Sequence, residues 1–278
     1  MQAVITKTTA LFPSRIFLQW DLIDPSESGV YVVDVERSEA PEGPWLTIAH
    51  ALSNAFHYVD DLLLNLPADQ VSKEGLNLFS VQRNVYYRVI VTPPSGRNNA
   101  VTSDARGIEP GLDKNARLLK RKILRDETVA FQRLNGIELM VLKKKHWGYR
   151  CTDCFDPVTK DIILEHCSNC YGTGFVEGYA TPIKIRGRIA PQPTQTQISP
   201  HGMLETTHTR LTVLDYPELE PGDLVVDLRR NDRYVVKQVT PTTLKTVTVH
   251  QVATVSLLAR DAVEYEIKVD PYTSPSLY

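Results

Sequence analysis

Nowhere in the 278 residues do apolar side chains run on for the roughly 18 to 20 positions that a membrane-crossing helix needs. The start, Met1-Gln2-Ala3-Val4-Ile5-Thr6-Lys7, lacks a charged segment followed by a long apolar one. A soluble, unexported chain is expected. The usual marks of catalysis are missing too: no phosphate-binding glycine loop ending in Lys-Ser/Thr, no His-Glu-x-x-His, no Gly-x-Ser-x-Gly and no dinucleotide fingerprint. The carboxylate pairs Asp60-Asp61 and Asp215 with Glu218 sit where turns are expected, as caps or solvated groups, so no enzyme is expected. Cysteine is scarce, with 4 in the whole chain, too few for a disulfide framework at this length.

What is present is ordinary in bulk. Hydrophobic residues make up 42% and charged ones 23%, enough apolar side chain for real cores and too much for wholesale disorder. The length argues for two or three domains. Net charge is only -2, but it is unevenly spread: Lys114 to Arg150 holds eleven Lys or Arg against Asp126, Glu127 and Glu138, an excess of eight that leaves -10 for the rest. That middle segment either faces an acidic partner or nucleic acid, or is a solvated helix face balanced by its acidic neighbours.

The four cysteines form two Cys-x-x-Cys pairs, Cys151/Cys154 and Cys167/Cys170, with twelve residues between them. Each pair makes a knuckle that holds two thiolates one tetrahedral edge apart, and two knuckles close a four-thiolate site on Zn²⁺ at roughly 2.3 Å per bond. Four protein ligands leave no open position, which makes the expected zinc structural and not catalytic. Four buried free thiols, or an iron site of the rubredoxin kind, are the alternatives. His146 and His166 lie nearby, and both are read as ordinary polar residues.

Residues 1–108 are short runs rich in Val, Ile, Tyr and Phe, broken by Pro, Gly, Asn and Ser, with no helical period. Ile16 to Trp20, Val30 to Arg37 and Val85 to Val91 are expected strands, and the polar stretch Leu62 to Asn77 an inserted loop or short helix. From Asp113 the pattern turns helical: Leu112, Ala116, Leu119, Ile123, Ala130 and Leu134 recur at spacings of three, four or seven, with Asp113 as N-cap and Asn135-Gly136 as stop. Ile137 to Lys143 is read as a strand carrying the chain into the cysteine region, so residues 109–182 form a helix and zinc segment. Residues 183–269 are strand-rich again: Ile183 to Ile189, Leu211 to Leu214 after a Pro-, Gln- and Thr-rich loop, and Gly222 to Asp227. A turn at Arg229 to Asp232 leads into Arg233 to Val239, followed by two runs after Pro241. Five or six short antiparallel strands in this span mean a small barrel or sandwich. Residues 270–278, with Pro271 and Pro275, are expected to be extended, and a tail ordered in spite of this would be lying on a partner. The fold class is therefore mainly β: an N-terminal sandwich, a central helix with a four-Cys segment, and a small C-terminal antiparallel barrel.

Four resemblances sharpen these expectations. Trp20 on an early strand, the Tyr31-x-Val33 strand ending at Arg37, the Gly43-Pro44-Trp45 turn, the Tyr58-x-Asp60 step and the Tyr86-Tyr87-Arg88-Val89 strand before Pro94-Ser95-Gly96 resemble a fibronectin type III module. That implies Trp20 in the core between two sheets. Cys167-x-x-Cys170-x-Gly172-x-Gly174 looks like one repeat of the zinc module of DnaJ chaperones, but no His-Pro-Asp motif accompanies it. The stretch from Cys151 to Gly187, with Gly178-Tyr179, Pro182-Ile183 and then Ile185-Arg186-Gly187-Arg188-Ile189, resembles a zinc-containing segment of virion and neck proteins of tailed bacteriophages. Glu220-Pro221-Gly222-Asp223 and Tyr234-Val235-Val236 are similar to the small barrels of head-completion and stopper proteins. These imply a structural virion protein, assembled in the host cytoplasm into a ring at the head-tail connector. Its expected partners are portal or adaptor, tail proteins and further copies of itself, with possible contact to packaged DNA. A tail or baseplate protein, or a zinc-ribbon nucleic-acid-binding protein, are the competing expectations; a bacterial adhesin conflicts with reduced cysteines and the lack of an export signal.

Overall fold

The computed structural model describes residues 1–11, 15–61, 85–156, 158–159, 161–164, 166–191, 195–199, 202–206, 209–244 and 247–270. The stretch expected as an inserted loop, 62–77, and the tail from 271 onward lie outside the described residues.

The chain opens with β1 (Gln2–Leu11) paired antiparallel to β2 (Arg15–Ile23), then β3 (Val32–Ser38) paired to β4 (Leu46–Ser53). β5 (His57–Asp61) returns to β2, while β6 (Tyr86–Thr92) lies on the other side of β3 and is flanked by the short β7 (Val101–Thr102) and β8 (Arg106–Gly107). One sheet runs β1-β2-β5 and the other β4-β3-β6-β7. β6 alternates strictly, burying Tyr87, Val89 and Val91, as expected of a strand with one face on a core and one toward water. β2 does not alternate. Ile16 to Gln19 are at most 3% exposed and Trp20 is 2% exposed, because both faces of this strand are covered. Phe17 meets Tyr216 at a ring separation of 5.9 Å, and the Gln19 Oε1 accepts the Glu218 N–H at 2.9 Å, so residues of the C-terminal part cover the second face.

Helix α1 (Lys114–Ala130) starts where Asp113 accepts the Ala116 N–H at 2.6 Å, the expected cap. It ends in a π-turn, Phe131–Asn135, before Gly136. A Cβ at Gly136 would lie 2.1 Å from the Phe131 carbonyl oxygen, so this turn requires glycine. The buried face is not the expected one. Leu119 is 43% and Leu134 83% exposed, while Lys120, Leu124 and Phe131 are buried. The rotation has an electrostatic cause: the Lys120 ammonium reaches Glu109 at 2.7 Å and Asp215 at 2.5 Å, and Lys7 reaches Asp215 at 3.4 Å. Strand β1, the connector, the helix and the segment after the barrel strand at Leu214 thus meet at one buried cluster of two cations and two anions.

The remaining strands form a closed six-stranded barrel. β9 (Ile137–Leu142) pairs with β10 (Ile183–Pro191), and β11 (Gln195–Ser199) with β12 (Gly202–Thr206) makes a separate hairpin in the stretch expected to be a loop. β13 (Thr209–Leu214), β14 (Leu224–Asp227), β15 (Asp232–Leu244) and β16 (Val247–Leu257) complete the order β10-β13-β16-β15-β14-β9. β15 runs through Pro241, which sequence reading placed between elements. There it pairs with Gln251 of β16, while β14 pairs only with Asp232 to Val235, so the proline sits where β15 has a free edge and owes no hydrogen bond. Of the two runs expected after Pro241, Leu244 to Val249 takes in the last residue of β15 and the first residues of β16, and Val252 to Leu258 falls on β16 up to Leu257. β9 also proves to be a stave of the barrel, so the cysteine segment is an insertion between two paired neighbours.

Candidate metal centre

The insertion leaves β9 and returns to β10 on two strands of chain that hold each other. Ala180 N–H donates to the Lys143 carbonyl at 2.8 Å, Lys145 N–H to Gly178 at 3.0 Å, Val176 N–H to Tyr149 at 2.8 Å and Cys151 N–H to Gly174 at 3.0 Å. This stem leans on the N-terminal sheets: Gly29 N–H donates to the Gly148 carbonyl at 3.2 Å, Arg150 N–H to the Ser28 hydroxyl at 2.9 Å, and Trp147 meets Tyr31 edge-on at 5.7 Å. The Arg150 guanidinium stacks over Phe155 at 4.6 Å and Phe175 at 4.1 Å, closing the stem's upper end.

Above the stem the two Cys-x-x-Cys pairs fold alike. Phe155 N–H donates to the Cys151 carbonyl at 3.1 Å, and Tyr171 N–H to the Cys167 carbonyl at 2.7 Å, so each knuckle closes over four residues. After the second knuckle the backbone takes positive φ, 51° at Tyr171 and 63° at Gly178. A Cβ at Gly178 would lie 2.6 Å from the Cys170 carbonyl oxygen, which is why glycine stands there.

All four expected cysteines come together. They are buried, unbridged and arranged with their sulfur atoms within 4.8 Å of one another. Cys154 and Cys170 are 2.9 Å apart and Cys151 and Cys167 3.8 Å. A tetrahedral ion with sulfur bonds of roughly 2.3 Å needs sulfur–sulfur edges of about 3.8 Å, which falls inside this range. The donor set fits a metal ion. It also fits electrostatically: burial pushes the Cys151 and Cys154 thiols up, whereas the Asn169 N–H aimed at the Cys167 sulfur pulls that one down. A divalent cation would offset the cost of four buried thiolates, and the N–H groups of the knuckles would share their charge. His146 contacts Glu220 at 3.6 Å, and neither it nor His166 belongs to the cysteine group.

Two of the carboxylates expected as solvated turn groups, Asp60 and Asp215, are buried. Asp60 is fully buried on β5, accepting from the Tyr87 hydroxyl at 2.8 Å and from Arg37 at 2.9 Å. Asp215 is likewise at 0% exposure in the charge cluster beside α1. Lys143 and Asp223 were missed: the buried Lys143 ammonium pairs with Asp223 at 2.9 Å and donates to the Glu218 carbonyl at 3.0 Å, which ties the stem's foot to the loop before β14. A lysine at the end of an apolar run opposite a Gly-Asp turn is the only trace this pair leaves in the sequence.

No family model and no curated protein matches the chain. Among solved structures, two crystal forms of pectate lyase Pel3 from Pectobacterium carotovorum are similar over 41% and 40% of this chain, at 15% and 16% identity and TM-scores of 0.28 and 0.29. The match spans 28% of the length of either lyase chain, and likeness at that level is too slight to assign fold or function.

Proposed function

We propose that this chain is a structural virion protein of a tailed bacteriophage, present in many copies in the neck ring between portal and tail, and that it catalyses no reaction. The observation that carries the proposal is the cysteine centre: all four ligand atoms come from the protein, are buried, and leave no position for water or substrate. Such a centre stabilises a segment and presents it. The segment presented is the one whose sequence resembles phage neck proteins. We take the ion to be Zn²⁺, since four thiolates in tetrahedral reach suit it and require no redox chemistry. The two N-terminal sheets, of three and five strands, with Trp20 buried on β2, support a fibronectin type III-like module, a kind of domain suited to protein contacts.

Antibody labelling of particles in the electron microscope tests the placement. Label at the capsid–tail junction is expected. Label at the tail tip would move the protein to the baseplate, and absence of label from particles would reject the virion reading in favour of a nucleic-acid-binding one.

A further inference from the structure

Thirteen large apolar side chains are exposed among the described residues, and eight of them fall in two places. Four are on the tip of the cysteine segment between the knuckles: Val158 at 87%, Ile162 at 39%, Ile163 at 68% and Leu164 at 53%. Phe155 pairs with Ile162 across this tip, and the Ile163 N–H donates to the carbonyl of Cys154 at 2.8 Å, so the apolar knob is bonded directly to a metal-binding residue. The other four are on the outward side of α1 and its π-turn: Leu118 at 47%, Leu119 at 43%, Val129 at 44% and Leu134 at 83%.

The two patches carry opposite charge. From Asp153 to Glu165 the chain has four acidic residues against Lys160. From Lys114 to Asn135 it has six basic residues besides the buried Lys120, against Asp126 and Glu127. Lys122 and Arg125 are interleaved with Leu118 and Val129 at spacings of three and four, which places them on one face of the helix, opposite Lys120 and Leu124. Leucines set among these cations speak against a phosphate backbone as the occupant, because phosphates would leave the apolar groups uncovered. An acidic, apolar knob covers both kinds of group, and this chain carries one.

We infer that the knob of one copy docks on the outward face of α1 of the next copy, in a head-to-tail contact that uses two different surfaces. A contact of this kind closes into a ring when the rotation per copy allows it. The role of the metal is then to build one half of an intersubunit contact. The inference rests on the reading of the chain as a multi-copy assembly protein, yet its test needs no particle.

Sedimentation of the purified, metal-loaded full chain over a range of concentration is the experiment. Association is expected, weakening at least about tenfold as salt rises from low to moderate ionic strength. Ile163→Asp and Leu134→Glu, both at exposed positions, are each expected to weaken it by about a hundredfold with metal content and tryptophan fluorescence unchanged. Mixed together, the two variants have one intact knob and one intact helix face between them, so they are expected to form a dimer that grows no further. A wild-type chain that stays monomeric throughout, a variant that associates like the wild type, or a mixture that remains monomeric would each overturn the contact. Particle labelling at the neck alongside any of these results would leave the proposed location standing and remove only this interface.

Discussion

The barrel and the segment inserted into it, residues 143–182, are opposite in construction. The barrel buries Leu139, Val141, Ile185, Leu211, Val213 and Val255, all at 0% exposure, in an apolar core continuous with that of the N-terminal sheets. In the insertion, among the described residues, the buried cluster above the stem is the four cysteines, and Val158, Ile162, Ile163 and Leu164 are exposed. A segment of this size cannot collect enough apolar area to offset the entropy of ordering it. It therefore concentrates its stability at one point, and that point can be removed chemically while the barrel stands.

The largest effect should come from attacking that point. Cys154→Ser, or a chelator on the wild type, is expected to unfold the chain from about Cys151 to Gly174, since structural zinc of the kind proposed supplies roughly 10 to 16 kcal/mol of binding linked to folding. Hydrogen exchange would show the loss confined to this span, with β-strand amides of the barrel still protected; an unchanged pattern would mean that the cysteines hold nothing together. Next in size is the buried charge cluster, which serves the barrel side of the comparison. Asp215→Ala leaves Lys120 and Lys7 short of one anion and should cost about 3 to 5 kcal/mol in urea unfolding, with metal content unaffected.

A pH titration separates the N-terminal sheets from both. His57 lies between Phe17 and Phe56, and burial lowers its pKa from 6.5 to about 4. The folded state thus refuses a proton that the unfolded chain accepts below pH 6.5, so stability falls as pH drops from 6.5 to about 4 and levels off below that. The decline should reach roughly 3 kcal/mol and be flattened in His57→Gln, read against the wild type at each pH. The smallest effect belongs to the helix: Asp113→Ala removes its N-cap and should lower stability by about 1 kcal/mol without altering metal binding.

What the sequence made legible was whatever depends on local pattern. The strands around Trp20, Tyr87 and Ile185 follow from runs of β-branched and aromatic residues, and the helix limits from Asp113 and Gly136. The gathering of the four cysteines was legible because it is written as spacing: Cys-x-x-Cys twice. What was hidden depends on residues far apart in the chain. The face of α1 was misread because apolar periodicity pointed to Leu119 and Leu134, while the buried position is Lys120, whose partners Glu109 and Asp215 lie 11 and 95 positions away in the chain. Asp60 looked like a turn residue for the same reason, since Tyr87 and Arg37, which satisfy it, come from other strands. β9 was read as a lead into the cysteine segment, because closure of a barrel through a stave more than forty residues ahead of its partner leaves no local mark.

The pairing of β9 with β10 on either side of the insertion has a mechanical consequence. Ile183 faces Val141 and Gly187 faces Ile137, so a load applied to the knob enters the barrel at the open end of a hairpin, where hydrogen bonds break one after another and not in parallel. Resistance to such a pull must come from the side. The braces are already in place: the Gly29 to Gly148 and Arg150 to Ser28 hydrogen bonds, and Trp147 against Tyr31, carry part of the force into the N-terminal sheets before it reaches the first barrel bond.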